Sequence, residues 1–284
     1  HKNALVITGM RQVGKTTLLK QLFDELGNKP KIWFDFENPL DQKLFEDLEY
    51  NNIFKRLEDL TASNGKRMYV FLDEIQNLPE VTKVIKYLID HYGVKFIVTG
   101  SSSFYLKNLF PESLSGRKFL YILPPLAFKE YLYFKNIINL QDAQVRNLGK
   151  ALEKTDIYLF KKYQVAYEQY LEYGGFPEVV LTQDIQTKIM VLRNIFASFF
   201  EKDIKLMSDH TDIRQLRDFI LLLVPRVGSM IDVSKLSVKN GRVCVLKKEP
   251  SLKTENILPE MFFRIISSLS FPKTMVWEKS GFRF

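Results

Sequence analysis

The chain contains one cysteine, Cys244, and three histidines, His1, His91 and His210, in 284 residues. A single cysteine excludes an intramolecular disulfide framework and fits a reducing cytosol. It reads as a small apolar side chain, not as a nucleophile. The histidines share no ligand spacing, so no zinc site is expected. Long apolar runs are also missing. A stretch such as "FILLLV" at 219–224 falls far short of the roughly 20 residues a bilayer requires. No charged segment followed by an apolar one opens the chain, so no secretion signal is read. These absences predict a cytoplasmic protein with no membrane segment. A strand begins almost at His1, and the chain is expected to have lost its native start. Internal repeats and low-complexity tracts are absent, as are long blocks of one charge. The net charge is +8, but lysines such as Lys161, Lys162, Lys247 and Lys248 come in dispersed pairs. That balance is compatible with DNA or another polyanion, and equally with a solvated surface.

What remains is an ordinary globular composition, 46% hydrophobic and 26% charged, in a chain long enough for two domains. The first part alternates strand-like and helix-like runs. "ALVIT" (4–8) stops at Gly9, and "TTLLKQLFDEL" (16–26) carries Leu18, Leu19, Leu22, Phe23 and Leu26 at helical spacing. Strands are expected at 31–36, 67–74, 94–100 and 118–123. Helices are expected at about 41–60 and at 81–92, the latter ended by Gly93. Apolar strands separated by helices predict a parallel sheet covered on both faces. Beyond Pro124 and Pro125 the pattern turns helical, at 126–135, 142–152, 156–172, 184–206 and 212–224. The expected division is therefore an α/β core over 1–124, a helical region over 125–211, and a third segment over 212–284. Aromatic runs such as "FKEYLYF" and "YEQYLEYGGF" could serve as base-stacking platforms. At helical spacing they read more readily as core.

Gly9-Met10-Arg11-Gln12-Val13-Gly14-Lys15-Thr16 fits the phosphate-loop pattern G-x-x-x-x-G-K-[ST]. A strand precedes it and an amphipathic helix follows. Its glycines let the backbone wrap tightly, so that N–H groups from Arg11, Gln12 and Val13 onward face phosphates at a helix N-terminus. Lys15 would reach the β- and γ-phosphates of ATP, and Thr16 would offer its hydroxyl to Mg²⁺. "YVFLDEIQ" (69–76) supplies an independent second piece. Asp73 and Glu74 leave the carboxyl end of a buried strand, where ligands of parallel sheets bind. Asp73 suits Mg²⁺, and Glu74 can polarise an attacking water. In "FIVTGSSS" (96–103), Thr99 or Ser101 could sit between the two motifs and sense the γ-phosphate, although a serine-rich turn is also ordinary loop chemistry. In "SLSGRKF", Arg117 could stabilise transition-state charge in cis or from a neighbouring subunit, or be a surface arginine.

Taken in order and spacing, "GMRQVGKTTLLKQL", "VFLDEIQNLPE", "VKFIVTGSSSFYL" and "SLSGRKF…LPPLAFKEYL" resemble a prokaryotic group of AAA+ ATPases. "YEQYLEYGGFPEVVL" (167–181) resembles the helical segment that follows their ATPase core. The likeness covers roughly residues 3–238. It implies a P-loop core with parallel strand order 5-1-4-3-2, Mg-ATP binding and hydrolysis. Gly9, Gly14, Lys15, Thr16 and Thr17 match that group's phosphate loop, Asp73 and Glu74 its acidic pair, and Arg117 the arginine of its Gly-Arg step. Residues 212–241 resemble the start of a winged helix, and such proteins continue into a nuclease-fold-like domain. The tail after about Gly241 follows neither pattern, and the expectation is a chain truncated or frame-shifted there.

Three functions follow from these readings. The first is an ATPase that couples ATP and ADP states to a protein partner, or to further copies of itself. The second is an ATP-gated switch that docks DNA or protein with little turnover. The third, a metabolic kinase, is disfavoured because Glu74 beside Asp73 points to water as the nucleophile.

Overall fold

A computed structural model describes residues 2–100, 116–144 and 157–199. The segment 212–284, with its winged-helix expectation and Cys244, lies outside the described residues, as does Ser101. Five strands are present: β1 (Ala4–Thr8), β2 (Lys31–Asp35), β3 (Tyr69–Asp73), β4 (Lys95–Gly100) and β5 (Lys118–Ile122). They form one sheet in the order β2-β3-β4-β1-β5, every pair parallel. This is the 5-1-4-3-2 order that the resemblance implies.

Side chains alternate across the sheet with the period of two that a strand imposes. Ala4, Val6, Val70, Leu72, Phe96 and Val98 share one core cluster with Ile53, Leu57, Val84, Ile85 and Leu88. Those last five lie on helices α3 (Tyr50–Thr61) and α4 (Val81–Tyr92). Ile7, Phe71 and Ile97 point to the opposite face, where they meet Leu19, Leu22 and Phe23 of α1 (Lys15–Glu25). There Phe23 sets its edge against Phe71 at 5.1 Å between centroids, and Trp33 stacks on Phe71 at 6.1 Å. With both faces covered, the strands read as continuous apolar runs.

The single helix expected at 41–60 is instead three pieces: α2 (Pro39–Lys43), a short 3₁₀ turn (Leu44–Glu46) and α3. Asn38 caps α2, its side-chain oxygen accepting from the Leu40 N–H. The Asp47 carboxylate accepts from the Glu49 N–H at 2.9 Å, a local turn that competes with helix continuation.

Among the described residues, four further helices precede Thr182: α5 (Phe128–Phe134), α6 (Leu140–Gln144), α7 (Ile157–Tyr173) and α8 (Pro177–Leu181). The last described is α9 (Ile185–Ser198). Contacts divide the chain into two compact units between Ala127 and Phe128. Phe176–Glu178 and the stretch from Arg193 belong with the sheet unit. In the helical unit, Phe128 lies 5.1 Å from Tyr167 and 5.4 Å from Tyr170, and Tyr131 lies 5.3 Å from Tyr170. The Tyr131 hydroxyl donates to Gln169 Oε1 at 3.3 Å. These rings pack on one another, as a core does. Burial pushes the Tyr170 hydroxyl above its ordinary value, with Glu130 and Tyr167 adding to the shift.

Lys188 on α9 is 6% exposed, its ammonium 4.9 Å from the Tyr173 ring centroid. Burial holds that ammonium below the ordinary lysine value, Lys135 lowers it further, and Glu172 partly opposes them. The unfolded chain therefore binds this proton more readily than the folded one, and stability rises with pH up to about 10.5. Lys188→Met is expected to raise the melting midpoint by a few degrees at pH 7, since it removes a buried charge. The gain should shrink at pH 10, where the wild type no longer bears the full cost. Calorimetry at the two pH values checks both statements.

Candidate phosphate-binding site

β1 ends at Thr8, and the chain turns at once through Gly9–Gly14 into α1. Two features shape this loop. Gly14 has φ +95°, a left-handed conformation open to glycine at little cost. A Cβ on Gly9 would lie 2.2 Å from the Leu123 carbonyl oxygen, so no larger residue fits there. Gln12 also has a positive φ, 60°, and this non-glycine strain is imposed by the loop around it. Val13 is buried and plugs the loop from beneath, while Gln12, Thr16 and Thr17 are exposed and Arg11 is half-buried. Lys15 is only 5% exposed. Its ammonium donates to the carbonyl oxygens of Met10 at 2.9 Å and Gly9 at 3.2 Å, which is how a nearly buried charge is satisfied by its own loop.

The acidic pair lies on the same carboxyl edge of the sheet. Asp73 closes β3 and is 4% exposed. Thr99, fully buried on β4, donates its hydroxyl to Asp73 Oδ1. The same hydroxyl oxygen accepts from the Glu74 N–H at 3.2 Å. One hydroxyl thus ties both acidic residues to the strand that lies between them and β1. Glu74 makes that bond because its backbone is left-handed, φ 55° and ψ 48°. The Gln76 side-chain amide in turn donates to Glu74 Oε2. Gln76 is buried and was given no role from sequence. The available signal was its place two residues after Glu74 in "DEIQ", inside a turn too tight for it to leave.

Arg117 is not brought to this edge. It precedes β5, its carbonyl oxygen accepts from the Ala4 N–H at 2.8 Å, and its Nε donates to Asp90 Oδ1 at 2.6 Å. Ala4 opens β1 and Thr8 closes it, so about 13 Å of strand separates Arg117 from the phosphate loop. An arginine side chain does not bridge that span back along its own strand. The in-cis form of the Arg117 expectation is therefore corrected.

A glycine-shaped loop on a strand–helix junction stands on the same sheet edge as an acidic pair two strands away, an arrangement suited to a phosphate-bearing ligand. A family model described as an AAA domain matches residues 1–132. The match covers just under half of the chain. A second model, described as a domain of unknown function, matches residues 164–247. An uncharacterized protein of Haemophilus influenzae is 29% identical over 237 residues, covering 82% of this chain and 54% of its own. An uncharacterized protein of Methanocaldococcus jannaschii is 29% identical over 234 residues, covering 82% and 48%. The chain thus spans about half the length of the curated relatives it matches. Among solved structures, the ADP form of the Aeropyrum pernix ORC2 protein aligns at 14% identity and TM-score 0.39, covering 94% of this chain and 79% of its own.

Within the matched segment, Gly9→Ala tests the loop's fit. The added methyl collides with the backbone of Leu123, whose N–H donates to the Thr8 carbonyl at 2.6 Å. Destabilisation of about 1–3 kcal/mol is expected, together with loss of nucleotide binding. Thermal denaturation with and without ATP would show the first as a lower midpoint and the second as a missing ligand-induced rise.

Proposed function

We propose that the AAA domain hydrolyses ATP and uses its nucleotide state to move or release a partner. The Thr99 hydroxyl that joins Asp73 and Glu74, on the edge carrying the Gly9–Thr16 loop, carries this reading. In it, the loop N–H groups and the N-terminus of α1 bind the phosphates. Lys15 exchanges two neutral carbonyl acceptors for anionic phosphate oxygens, a stronger charge-assisted pairing. Thr16 and Asp73 are hard oxygen donors suited to Mg²⁺. Such an ion would draw its other ligands from water and phosphate and would need no cage of protein carboxylates. When bound it would neutralise charge on the phosphates. Glu74, half-exposed on the turn after β3, accepts a proton from water as the water oxygen attacks the γ-phosphorus and ADP departs.

Arg117 takes part in trans in this reading, supplied to the site of a neighbouring copy. Its pairing with Asp90 leaves both side chains more than a third exposed, and such surface ion pairs contribute only about 0–1 kcal/mol.

Lys15→Ala is expected to abolish ATP binding. Glu74→Gln should keep the dissociation constant while turnover falls about a hundredfold or more. Titration with a fluorescent ATP analogue and a phosphate-release assay read the two effects, and equal turnover in wild type and Glu74→Gln would refute the water-polarising role. Tight ATP binding with no turnover in the wild type would favour the gated-switch reading instead, for which the net charge of +8 is the supporting observation. Salt-sensitive binding to DNA would then identify a polyanionic partner.

The trans role predicts that turnover per chain rises with protein concentration. It also predicts that Arg117→Ala removes this rise without weakening ATP binding. Concentration-independent turnover, unchanged in Arg117→Ala, would retire that role.

A further inference from the structure

Glu74 is held at two points, and the hydrolytic reading uses only one of them. Its backbone N–H is fixed to Thr99 on β4. Its side-chain oxygen Oε2 is fixed to the Gln76 amide. Gln76 lies in the 3₁₀ turn Ile75–Asn77, which begins at left-handed Glu74. Ile75, between the two residues, is 1% exposed and belongs to the main core cluster, so the turn is pinned and Gln76 cannot swing away with it.

We propose that Gln76 is a positioning residue for Glu74: by occupying Oε2 it holds the carboxylate so that its other oxygen is the one offered to water. This rests on the hydrolytic reading. A glutamate side chain has three rotatable bonds and loses much freedom when held in one arrangement. A half-exposed glutamate without a partner spends most of its time in arrangements unsuited to proton transfer. A neutral amide is the right anchor, since it donates to the carboxylate without adding charge. Lysine in its place would give Glu74 a counter-ion and weaken its pull on the water proton. A carboxylate would repel it.

An amide buried merely to fill the core would serve equally well whatever residue stood at position 74. Coupling between the two positions separates these roles. Removing one hydrogen bond to a charged acceptor is worth about tenfold in rate when the bond is needed in the transition state. Gln76→Leu, which keeps the volume and removes the donor, is expected to lower saturated turnover about tenfold with an unchanged dissociation constant for the ATP analogue. In a Glu74→Gln background the same substitution should leave the residual turnover where it was, because there is no carboxylate left to orient.

Wild-type turnover in Gln76→Leu would overturn the assignment, as would the same fold-loss in both backgrounds. Should Gln76→Leu fail to fold, Gln76→Glu keeps the shape while replacing the donor with a second carboxylate. It is expected to lose turnover at neutral pH with ATP binding intact, and retention of turnover there would also overturn the role. A wild type that binds ATP but releases no phosphate would overturn the hydrolytic reading and this role together. Active wild type with an indifferent Gln76→Leu overturns the role of Gln76 alone.

Discussion

Parallel pairing is the constraint on which the rest of this molecule depends. It brings the carboxyl ends of all five strands to one edge, where phosphate loop and acidic pair emerge side by side. The register does more than gather them. Ile7 pairs with Thr99 across β1 and β4, and Leu72 pairs with Val98 across β3 and β4. Asp73, one residue beyond Leu72, therefore stands beside Thr99. A slip of one residue would turn every side chain of β4 to the other face. It would send Phe96 and Val98 toward α1 and Ile97 toward α3 and α4. The apolar core resists that exchange, because each face is already filled by side chains of matching shape. Core packing thus decides that a hydroxyl, and not Val98 or Gly100, lies against the carboxylate of Asp73.

The same logic explains what could be read from the chain in one dimension. Strands and helices of the sheet unit have strong local signals: apolar runs stopped by Gly9, Gly27 and Gly93, and helical spacing in "TTLLKQLFDEL". The phosphate loop and the Asp73–Glu74 pair were legible because their chemistry requires specific residue types at fixed spacing. Strand order was not legible from periodicity; it came with the family resemblance. The break at Asp47–Glu49 was missed because the pattern stays apolar enough to continue, while an Asx turn formed by one side chain ends the helix. The in-cis form of the Arg117 expectation fails for a reason of direction. Sequence order places it just before a strand, and in a parallel sheet that is the edge opposite the site. The contact of Gln76 with Glu74 depends on a left-handed residue, which no local pattern announces.

The helical unit is held by different means. Buried Leu132, Val179, Val180, Val191 and Leu192 are joined by an aromatic cluster of Phe128, Tyr131, Tyr167 and Tyr170 on α5 and α7, with phenol hydroxyls that must find partners when buried. Tyr131 finds Gln169. Lys188 lies against the face of Tyr173 and, with Glu172 offsetting only part of its burial, keeps a depressed affinity for its proton. A buried lysine with so soft a partner is tolerated where the rest of the packing is strong. Its cost is what makes the pH dependence of stability informative about this unit.

Two of the non-glycine residues with positive φ among those described, Gln12 and Glu74, belong to the candidate phosphate site. Each such residue costs of order 1 kcal/mol and persists only where the surroundings over-determine it. For Gln12 the surroundings are the loop anchored by Gly9, Val13 and Gly14. For Glu74 they are the buried Ile75 that follows it and the Thr99 hydroxyl that receives its N–H. In an ordinary strand end, the chain would relax to an extended conformation and Glu74 would point into solvent. Here the strained backbone turns its N–H inward and leaves the carboxylate within reach of Gln76. The strain is thus coupled to the orientation of the group proposed to meet water, and the core residue Ile75 is what maintains it. Stability and site geometry share one anchor. A substitution that loosened Ile75 would be felt first not as unfolding but as a carboxylate free to turn.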